Sequence, residues 1–165
     1  MNKTNGADIT LRHEVAPGDV TAVGEIVAAT GFFNAAEVDI AIELVEERLE
    51  NGDPSGYFFV FAEEDDRVLG YTCYGPIDGT QSSFDLFWIA IHPNQQGRGL
   101  GRLLIDETER LIHAMGGRRV YAETSGRVQY EPTREFYLRL GFVCEAELQD
   151  FYAPGDAKVF FVKAI

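Results

Sequence analysis

A glycine-rich segment between a predicted strand and a predicted helix constrains this chain more than any other feature. Residues 84–91 have the aromatic and apolar composition of a strand, glycines follow at 97, 99 and 101, and helical apolar periodicity begins at Leu100. The first N–H groups of a helix have no partner within it, and the helix dipole is positive at that end. Anionic oxygens bind there, and glycines leave the backbone open to them. The segment therefore predicts a site for a diphosphate-containing ligand.

The spacing of these glycines excludes two common phosphate-binding motifs. A P-loop requires a Gly-Lys-Ser/Thr triplet, which the sequence lacks. A dinucleotide-binding fingerprint that starts at Gly97 requires glycine or alanine at position 102, where the chain has Arg102. The pattern that remains is Gln96-x-x-Gly99-x-Gly101. A tight strand-to-helix connection that binds no ligand is the alternative interpretation.

A second motif lies downstream, where Tyr137 stands four residues before Gly141-Phe142 in the segment Phe-Tyr-Leu-Arg-Leu-Gly-Phe. The two motifs, in this order, resemble the GNAT superfamily of acetyl-coenzyme A (acetyl-CoA) dependent N-acetyltransferases. In that family, Gln/Arg-x-x-Gly-x-Gly/Ala binds the pyrophosphate of coenzyme A at the start of a helix. The resemblance covers residues 68–142 well, and the flanking segments match in their order of elements.

The order of predicted elements agrees with this resemblance. Asn34 is predicted to cap the second helix, Asp65-Asp66 to begin a turn between two strands of a hairpin, and Gly116-Gly117 to end the third helix. The apolar stripe of the third helix is expected to face the sheet and comprises Leu100, Leu103, Leu104, Leu111, Ile112 and Met115. Periodicity alone supports an α/β or α+β domain, whereas the resemblance implies the GNAT fold, a mixed, mainly antiparallel sheet of about seven strands covered by about four helices. The predicted strands are 9–15, 57–62, 68–74, 84–91, 118–124, 142–148 and 158–162, and the predicted helices are 17–30, 34–50, 100–115 and 133–140.

Length and composition favour one domain, because 45% hydrophobic residues are enough for a full core. The resemblance implies that this is a single GNAT domain over residues 1–165. The sequence has no membrane-spanning run and no apolar leader, so we expect a cytoplasmic protein. Cys73 and Cys144 form no Cys-x-x-Cys pair, and we expect both to be buried free thiols. The three histidines share no spacing typical of a metal site or a nucleophilic triad. We therefore expect no metal.

The net charge of −13 makes nucleic acid a poor partner and would attract a cationic amine. The acidic residues cluster at Glu43–Glu50 and at Glu63–Asp66. A solvated, solubilising surface is the alternative interpretation of this charge.

The resemblance implies direct transfer of an acetyl group from acetyl-CoA to a primary amine. The amine must lose a proton, the developing oxyanion needs a donor, and the departing thiolate is helped by an acid. Tyr137 occupies the position of the family's general-acid tyrosine, and its phenol is protonated at neutral pH. Ordinary packing of Tyr137 beside Phe136 and Leu140 is the alternative.

Asp85 is the first candidate for the base, because it aligns with a position where some family members carry a glutamate base. Strand alternation places Asp85 on one face with Phe87, Ile89 and Ile91, and apolar neighbours would raise its pKa. Aspartate is shorter than glutamate, so a bridging water is one way for it to act. A strand-edge carboxylate without a catalytic role is the alternative, and Glu123 is the second candidate base.

The resemblance also implies how coenzyme A is held. The pantetheine arm would pair with the main chain at Ile89 and Ile91. The diphosphate would lie against the glycine-rich segment, with Arg98 and Arg102 adding positive charge. Tyr130 stands where the family often carries an asparagine that contacts the cofactor, which puts that single contact in doubt. The predicted cofactor-binding residues are Ile89, Ile91, Gln96, Gly97, Arg98, Gly99, Leu100, Gly101 and Arg102.

The acceptor site is predicted around residues 150–156, which we interpret as a turn-containing connection between the last two strands. Tyr74, Trp88 and Tyr152 would form an aromatic wall, and Asp150 or Asp156 would meet an ammonium group. Glu123 is assigned to this site as well. A polar hairpin loop above a core tryptophan is the alternative.

Three classes of function remain open. The first is an N-acetyltransferase for a small or amino-acid-like amine, which the lack of a basic tail favours. The second is a protein or peptide N-terminal acetyltransferase, and the third is a non-catalytic acyl-CoA binding module. Homodimers are frequent in the family, and a homodimer is therefore a further expectation.

Overall fold

The computed structural model describes residues 8–165, and over this range the chain forms seven strands and four α-helices. Three short 3₁₀ turns lie at Asp53–Ser55, Pro93–Gln95 and Val128–Tyr130. In chain order the elements are β1 (Thr10–Arg12), α1 (Asp19–Ala29), α2 (Ala35–Asn51), β2 (Phe58–Glu64), β3 (Arg67–Pro76), β4 (Ser83–Ile91), α3 (Leu100–Ala114), β5 (Arg119–Ser125), α4 (Glu131–Arg139), β6 (Val143–Ala153) and β7 (Asp156–Ala164).

The strands form one mixed sheet in the order β1-β2-β3-β4-β5-β7-β6. β4 and β5 are parallel, whereas the pairs β1–β2, β5–β7 and β6–β7 are antiparallel. β7 therefore lies between β5 and β6 rather than beyond them. The predicted fold class, a mixed sheet of seven strands with four helices, is confirmed.

Two local signals in the sequence form the structures that they predict. Asn34 accepts a hydrogen bond from the Glu37 N–H, and the Glu37 carboxylate accepts one from the Asn34 N–H, so a reciprocal capping box begins α2. Asp65 and Asp66 adopt φ values of 49° and 60°, a geometry that matches the twist of a tight hairpin between β2 and β3.

The chain divides into two compact units, and both include parts of β3, β4 and α3. The first unit comprises residues 8–73 and Trp88–Thr108. Its core is formed by apolar side chains from α1, α2, β2, β3 and β4: Val23, Ile26, Val27, Ala41, Val45, Phe59, Phe61, Tyr71, Cys73 and Ala90.

An ionic cluster at the edge of the first unit ties β1 to α1 and β2. The Arg12 guanidinium donates to both oxygens of Asp19 at 2.8 Å and to Glu63 at 2.6 Å, and it lies 4.4 Å from the centre of the Phe61 ring. Asp19 is nearly inaccessible, so its charge requires this bidentate partner.

The second unit comprises Tyr74–Phe87 and Glu109–Ile165. Tyr137 of α4 packs against Phe142 and Phe161, with ring centres 5.3 and 5.4 Å apart. Lys163 of β7 pairs with Glu109 of α3 at 2.7 Å. The prediction of one domain over residues 1–165 stays a prediction, and part of it lies outside the described residues.

Several predicted boundaries and burial assignments are wrong. β1 covers only Thr10–Arg12 of the predicted 9–15. The predicted connection at 150–156 is mostly strand, because β6 continues to Ala153 and only Pro154-Gly155 separate it from β7. Cys73 is buried, but Cys144 is exposed, since β6 is the last strand of the sheet and most of its residues face solvent.

The apolar stripe of α3 also differs from the prediction. Leu103 and Met115 are exposed, although both were expected to face the sheet, and Ile105 and Thr108 are buried instead. The Thr108 hydroxyl is satisfied by the Leu104 carbonyl and by the Thr72 hydroxyl, each at 2.7 Å, which allows a polar residue at a core position. Among residues 8–165, no helix combines the length and the apolar character needed to cross a bilayer.

The buried hydroxyl of Tyr71 yields a prediction about stability. This hydroxyl has no hydrogen-bond partner among residues 8–165, and burial raises the pKa of Tyr71 well above its usual value. We expect Tyr71→Phe to increase the free energy of unfolding by about 1 kcal/mol, because it removes an unsatisfied polar group without changing the packed ring. Urea unfolding at neutral pH measures this change.

Thr72→Val on the same strand is the matched control. It removes the buried hydrogen bond to Thr108 and should lower the free energy of unfolding by a similar amount, about 1 kcal/mol. A loss of stability in Tyr71→Phe would contradict the assignment of its hydroxyl as unpartnered.

Candidate active site

The glycine-rich segment enters α3 through two residues with left-handed backbone. Gly97 and Gly99 have φ values of 78° and 76°, which residues with a side chain rarely adopt. Apart from the glycine itself and its chain neighbours, no atom of residues 8–165 would lie within 4 Å of a Cβ atom built at either position. Conformation therefore requires glycine at both positions, and the space above them is open to a ligand.

The helix start presents unpaired N–H groups at this open surface. The first helical hydrogen bond runs from the Leu103 N–H to the Gly99 carbonyl at 3.1 Å. The N–H groups of Leu100, Gly101 and Arg102 precede this first donor and therefore have no acceptor within the helix. The Leu100 side chain is only 2% exposed and anchors the turn in the core, whereas Gln96 and Arg102 are exposed. The arrangement fits an anion, which the dipole of α3 would stabilise.

Arg98 is held by an ion pair within the first unit. Its guanidinium donates to Glu64 at 2.7 and 3.2 Å and to the Gln95 side-chain oxygen at 2.5 Å. The hydrogen bond to Arg98 lowers the pKa of Glu64, and the same bond raises the pKa of Arg98. Any phosphate that binds Arg98 must therefore compete with a carboxylate.

The second half of β4 lies beyond its pairing with β5. The parallel register runs from Ser83 opposite Arg119 to Leu86 opposite Ala122. Ile89 and Ile91, the residues predicted to pair with a pantetheine arm, follow the last of these pairs. On the side of β3, the end of β4 is fixed by a 2.9 Å hydrogen bond from the His92 N–H to the Leu69 carbonyl.

Asp85 lies in a cleft of about 310 Å³ within the second unit. Asp85 is opposite Tyr121 in the β4–β5 register, and Glu123 is opposite Phe160 in the β5–β7 register. Side chains alternate along each strand, so the cleft residues of these three strands share one face of the sheet. The cleft is lined by Ile77, Thr80, Ser83, Asp85, Tyr121, Glu123 and Phe160.

The pKa of Asp85 is raised to about 6. Burial is the largest cause, and the negative charge of Glu123 is the second. The positive charge of Lys158 acts in the opposite direction. Asp85 can therefore gain and lose a proton close to neutral pH, a property typical of catalytic acids and bases.

Lys158 lies next to Glu123 and Phe160, two residues that line this cleft, and the sequence analysis missed it. Its ammonium is 2.6 Å from the Glu123 carboxylate and lies 4.5 Å from the Phe151 ring centre and 4.9 Å from that of Phe160. Lys158 and Phe160 are two residues apart on β7, so strand alternation could have placed both on one face. The register that brings Lys158 to Glu123 is not readable from the sequence.

Tyr137 lies on the opposite face of the sheet from Asp85. Its ring packs on Phe161, whereas the neighbouring residue Phe160 lines the Asp85 cleft. Tyr137 is 5% exposed, and burial raises its pKa above the usual value, so its phenol stays protonated at neutral pH. The structure therefore does not bring the predicted acid and base together on one face.

The three aromatic residues of the predicted acceptor wall have different environments. Tyr74 is buried, and Trp88 meets Phe33 edge to face at 4.9 Å and packs against the core of the first unit. Tyr152 is about half exposed and packs edge to face on Phe151 at 5.1 Å. Burial raises the pKa of Tyr152, and the charges of Glu123 and Asp156 add to this shift.

The two aspartates predicted to meet an ammonium group are both engaged within the second unit. Asp150, which has a φ of 55°, accepts the Gly155 N–H at 2.7 Å and so stabilises its own hairpin. Asp156 accepts the Ser125 hydroxyl at 2.5 Å and lies 3.2 Å from Arg127. Residues 8–165 contain no group of three or more His, Cys, Asp or Glu side chains placed to hold a metal ion.

Comparison with known proteins gives a match to a family model and matches to solved structures that cover nearly the whole chain. The model of the acetyltransferase (GNAT) family matches residues 25–142. A solved structure from Desulfovibrio desulfuricans, assigned to the GNAT family of acetyltransferases, is 46% identical in sequence. The two structures superpose with a TM-score of 0.94 over 95% of this chain and 99% of the other.

Two other similarities carry less weight, the first because it covers a small part of the chain and the second because its sequence identity is low. The mycothiol acetyltransferase of Rhodococcus jostii (strain RHA1) is 48% identical over 67 residues, which are 38% of this chain and 22% of that enzyme. A Salmonella typhimurium protein solved with its cofactor acetyl-CoA is 22% identical, with a TM-score of 0.71 over 94% of this chain and 93% of the other. At that identity the likeness shows the fold alone.

Proposed function

Because the chain belongs to the GNAT family of acetyltransferases, we propose that it transfers the acetyl group of acetyl-CoA directly to a primary amine of a small or amino-acid-like acceptor. The observation that carries this proposal is Asp85, a half-buried carboxyl with a pKa of about 6 in a cleft of about 310 Å³. A cleft of this size suits a small acceptor better than an extended peptide.

The start of α3 would hold the diphosphate of acetyl-CoA. The N–H groups of Leu100, Gly101 and Arg102 lie at the start of the helix, where they would donate to the diphosphate oxygens. The open backbone at Gly97 and Gly99 would allow the diphosphate to approach closely. Arg102 adds a positive charge in the first turn. Gln96 lies next to the segment, and the main chain of Ile89 and Ile91 is the proposed partner of the pantetheine arm.

Asp85 is the proposed proton acceptor for the amine. An alkyl ammonium has a pKa near ~10 and must lose a proton before its nitrogen can attack. An aspartate with a pKa of about 6 is ionised at neutral pH and is a stronger base than an ordinary aspartate, whose pKa is about 3.9. Because aspartate is short, one bridging water would carry the proton from an acceptor that does not touch it.

Tyr137 is the proposed acid for the leaving sulfur. The thioester supplies an activated acetyl group: its carbonyl carbon bonds to the amine nitrogen, and the carbon–sulfur bond breaks. Asp85 would take one proton from the ammonium before the attack and release it to solvent. Tyr137 would donate its phenolic proton to the departing thiolate, and the second proton, which the nitrogen loses as the amide forms, would return to Tyr137. The two residues approach from opposite faces of the sheet, which suits a reacting group placed at the end of the β4–β5 pairing, next to Leu86 and Ala122.

A first prediction concerns acetyl-CoA binding at the start of α3. We expect Gly99→Glu to weaken the affinity for acetyl-CoA at least ~100-fold, because the new carboxylate would occupy the open space above the N–H groups. Gly99→Ala is the control, since it brings the same backbone strain without the charge. Calorimetric titration measures both affinities, and equal losses in the two variants would refute the proposed anion site.

A second prediction concerns the pH dependence of the reaction. We expect kcat/KM of the wild type to rise with pH through about 6, as Asp85 loses its proton and becomes able to accept one from the ammonium of the acceptor. Asp85→Asn should remove the rise near pH 6 and lower kcat/KM at least ~10-fold. Initial rates between pH 5 and 9 test this prediction. If the rise of kcat/KM near pH 6 persists in Asp85→Asn, the base lies elsewhere.

A third prediction tests the reaction itself and the role of Tyr137. We expect release of free thiol from acetyl-CoA with small primary amines, and we expect Tyr137→Phe to lower kcat at least ~10-fold while acetyl-CoA binds normally. The acceptor panel should contain small amines, amino acids and short peptides.

The same measurement separates the remaining alternatives. Turnover of peptides alone would indicate a protein or peptide N-terminal acetyltransferase. Binding of acetyl-CoA without thiol release, equal in the wild type and in Tyr137→Phe, would favour an acyl-CoA binding module.

A further inference from the structure

Three charged side chains meet at the Asp85 cleft, one from each of three adjacent strands. Asp85 lies on β4, Glu123 on β5 and Lys158 on β7. Glu123 and Lys158 are 2.6 Å apart, and both influence the ionisation of Asp85, with opposite signs. Two carboxylates and one ammonium leave this part of the cleft with one negative charge when all three groups are ionised.

Lys158 is largely buried beside the cleft, behind the lining residues Glu123 and Phe160 that it contacts. Its side chain is 15% exposed, and its ammonium lies close to the rings of Phe151 and Phe160 as well as to Glu123. Cation–π contacts and an opposite charge both compensate a partly desolvated ammonium. The Lys158 ammonium therefore neutralises the Glu123 carboxylate, which then attracts a second cation less strongly.

The other titratable groups near the cleft do not alter this balance of charge. Tyr152 of β6 is a neutral phenol at neutral pH, because burial raises its pKa. Asp156 of β7 is paired with Arg127 at 3.2 Å. Asp85 is therefore the carboxylate of the cleft that the ion pairs leave uncompensated.

We propose that Lys158 is a positioning and specificity-determining residue that neutralises Glu123, so that the cleft accepts an amine with a single ammonium group and an apolar body. This inference rests on the proposed function and deepens it. The ammonium of the acceptor meets Asp85, and its apolar part lies against Ile77, Tyr121 and Phe160. An acceptor with two ammonium groups finds only one uncompensated carboxylate.

The first arm of the test follows the ionisation of Asp85 and needs no catalytic activity. Carbon-13 NMR of aspartate-labelled protein, with Asp85→Asn to assign the signal, gives the titration midpoint of the Asp85 carboxyl. We expect Lys158→Met to move this midpoint upward by at least ~0.5 pH unit, because a compensating positive charge is lost. Methionine keeps the apolar contact with the two rings.

Two further variants control the titration. Lys158→Arg keeps the charge and should leave the midpoint close to that of the wild type. Glu123→Gln should move it downward, because Glu123 raises the pKa of Asp85. A midpoint that is the same in Lys158→Met, Lys158→Arg and the wild type would overturn the assignment of Lys158 as a positioning residue.

The second arm compares pentylamine with 1,5-diaminopentane as acceptors, two amines of equal chain length that differ in charge. We expect the wild type and Lys158→Arg to prefer pentylamine in kcat/KM. Lys158→Met frees Glu123 for the second ammonium and should shift the ratio toward the diamine at least ~10-fold. An unchanged ratio would overturn the proposed selectivity for a single charge.

Failure of the inference and failure of the proposed function give different results. If neither amine releases thiol and no other acceptor does, while the Asp85 midpoint shifts as expected, the proposed function fails and the positioning role of Lys158 stands. If thiol is released but neither the midpoint nor the ratio responds to Lys158→Met, the proposed function stands and the inference fails.

Discussion

The parallel pairing of β4 with β5 is the constraint on which the site depends. It covers only Ser83–Leu86 and Arg119–Ala122, and it places Asp85 beside Tyr121. The same β4 strand continues through Ile89 and Ile91 into the glycine-rich segment and α3. The proposed base therefore lies in the half of β4 that pairs with β5, and the other half of β4 is followed by the proposed anion site. A shift of this register by one residue would turn Asp85 to the opposite face.

Two clusters of partly buried charges each have a partner that another strand or helix holds in place. Arg12 holds Asp19 and Glu63 at the edge of the sheet, and Lys158 holds Glu123 in the cleft. Because ions removed from water are costly unless they are paired, both clusters require their strands to be in register. Asp85 differs from them, since its charge is only partly compensated and its pKa is raised to about 6. This imbalance is what makes it suitable for proton transfer.

Local signals in the sequence predicted the elements whose causes are themselves local. The capping box at Asn34, the Asp65-Asp66 turn and the glycines before α3 all act within a few residues of their own position. The prediction failed where the cause lies in distant parts of the chain. The extension of β6 to Ala153 depends on pairing with β7, and the exposure of Cys144 depends on β6 being the edge strand. Neither relation changes the composition of the segment concerned.

The sequence by itself determined the fold class and the family, and it predicts the position of the anion site, because periodicity, capping and glycine conformation are properties of neighbouring residues. Tertiary structure decided which side chains share the cleft. Asp85, Glu123 and Lys158 come from three strands of different sequence position, and only strand order and register bring their charges together. It also decided that Tyr137 packs on the opposite face, because Phe160 and Phe161 point to opposite sides of one strand.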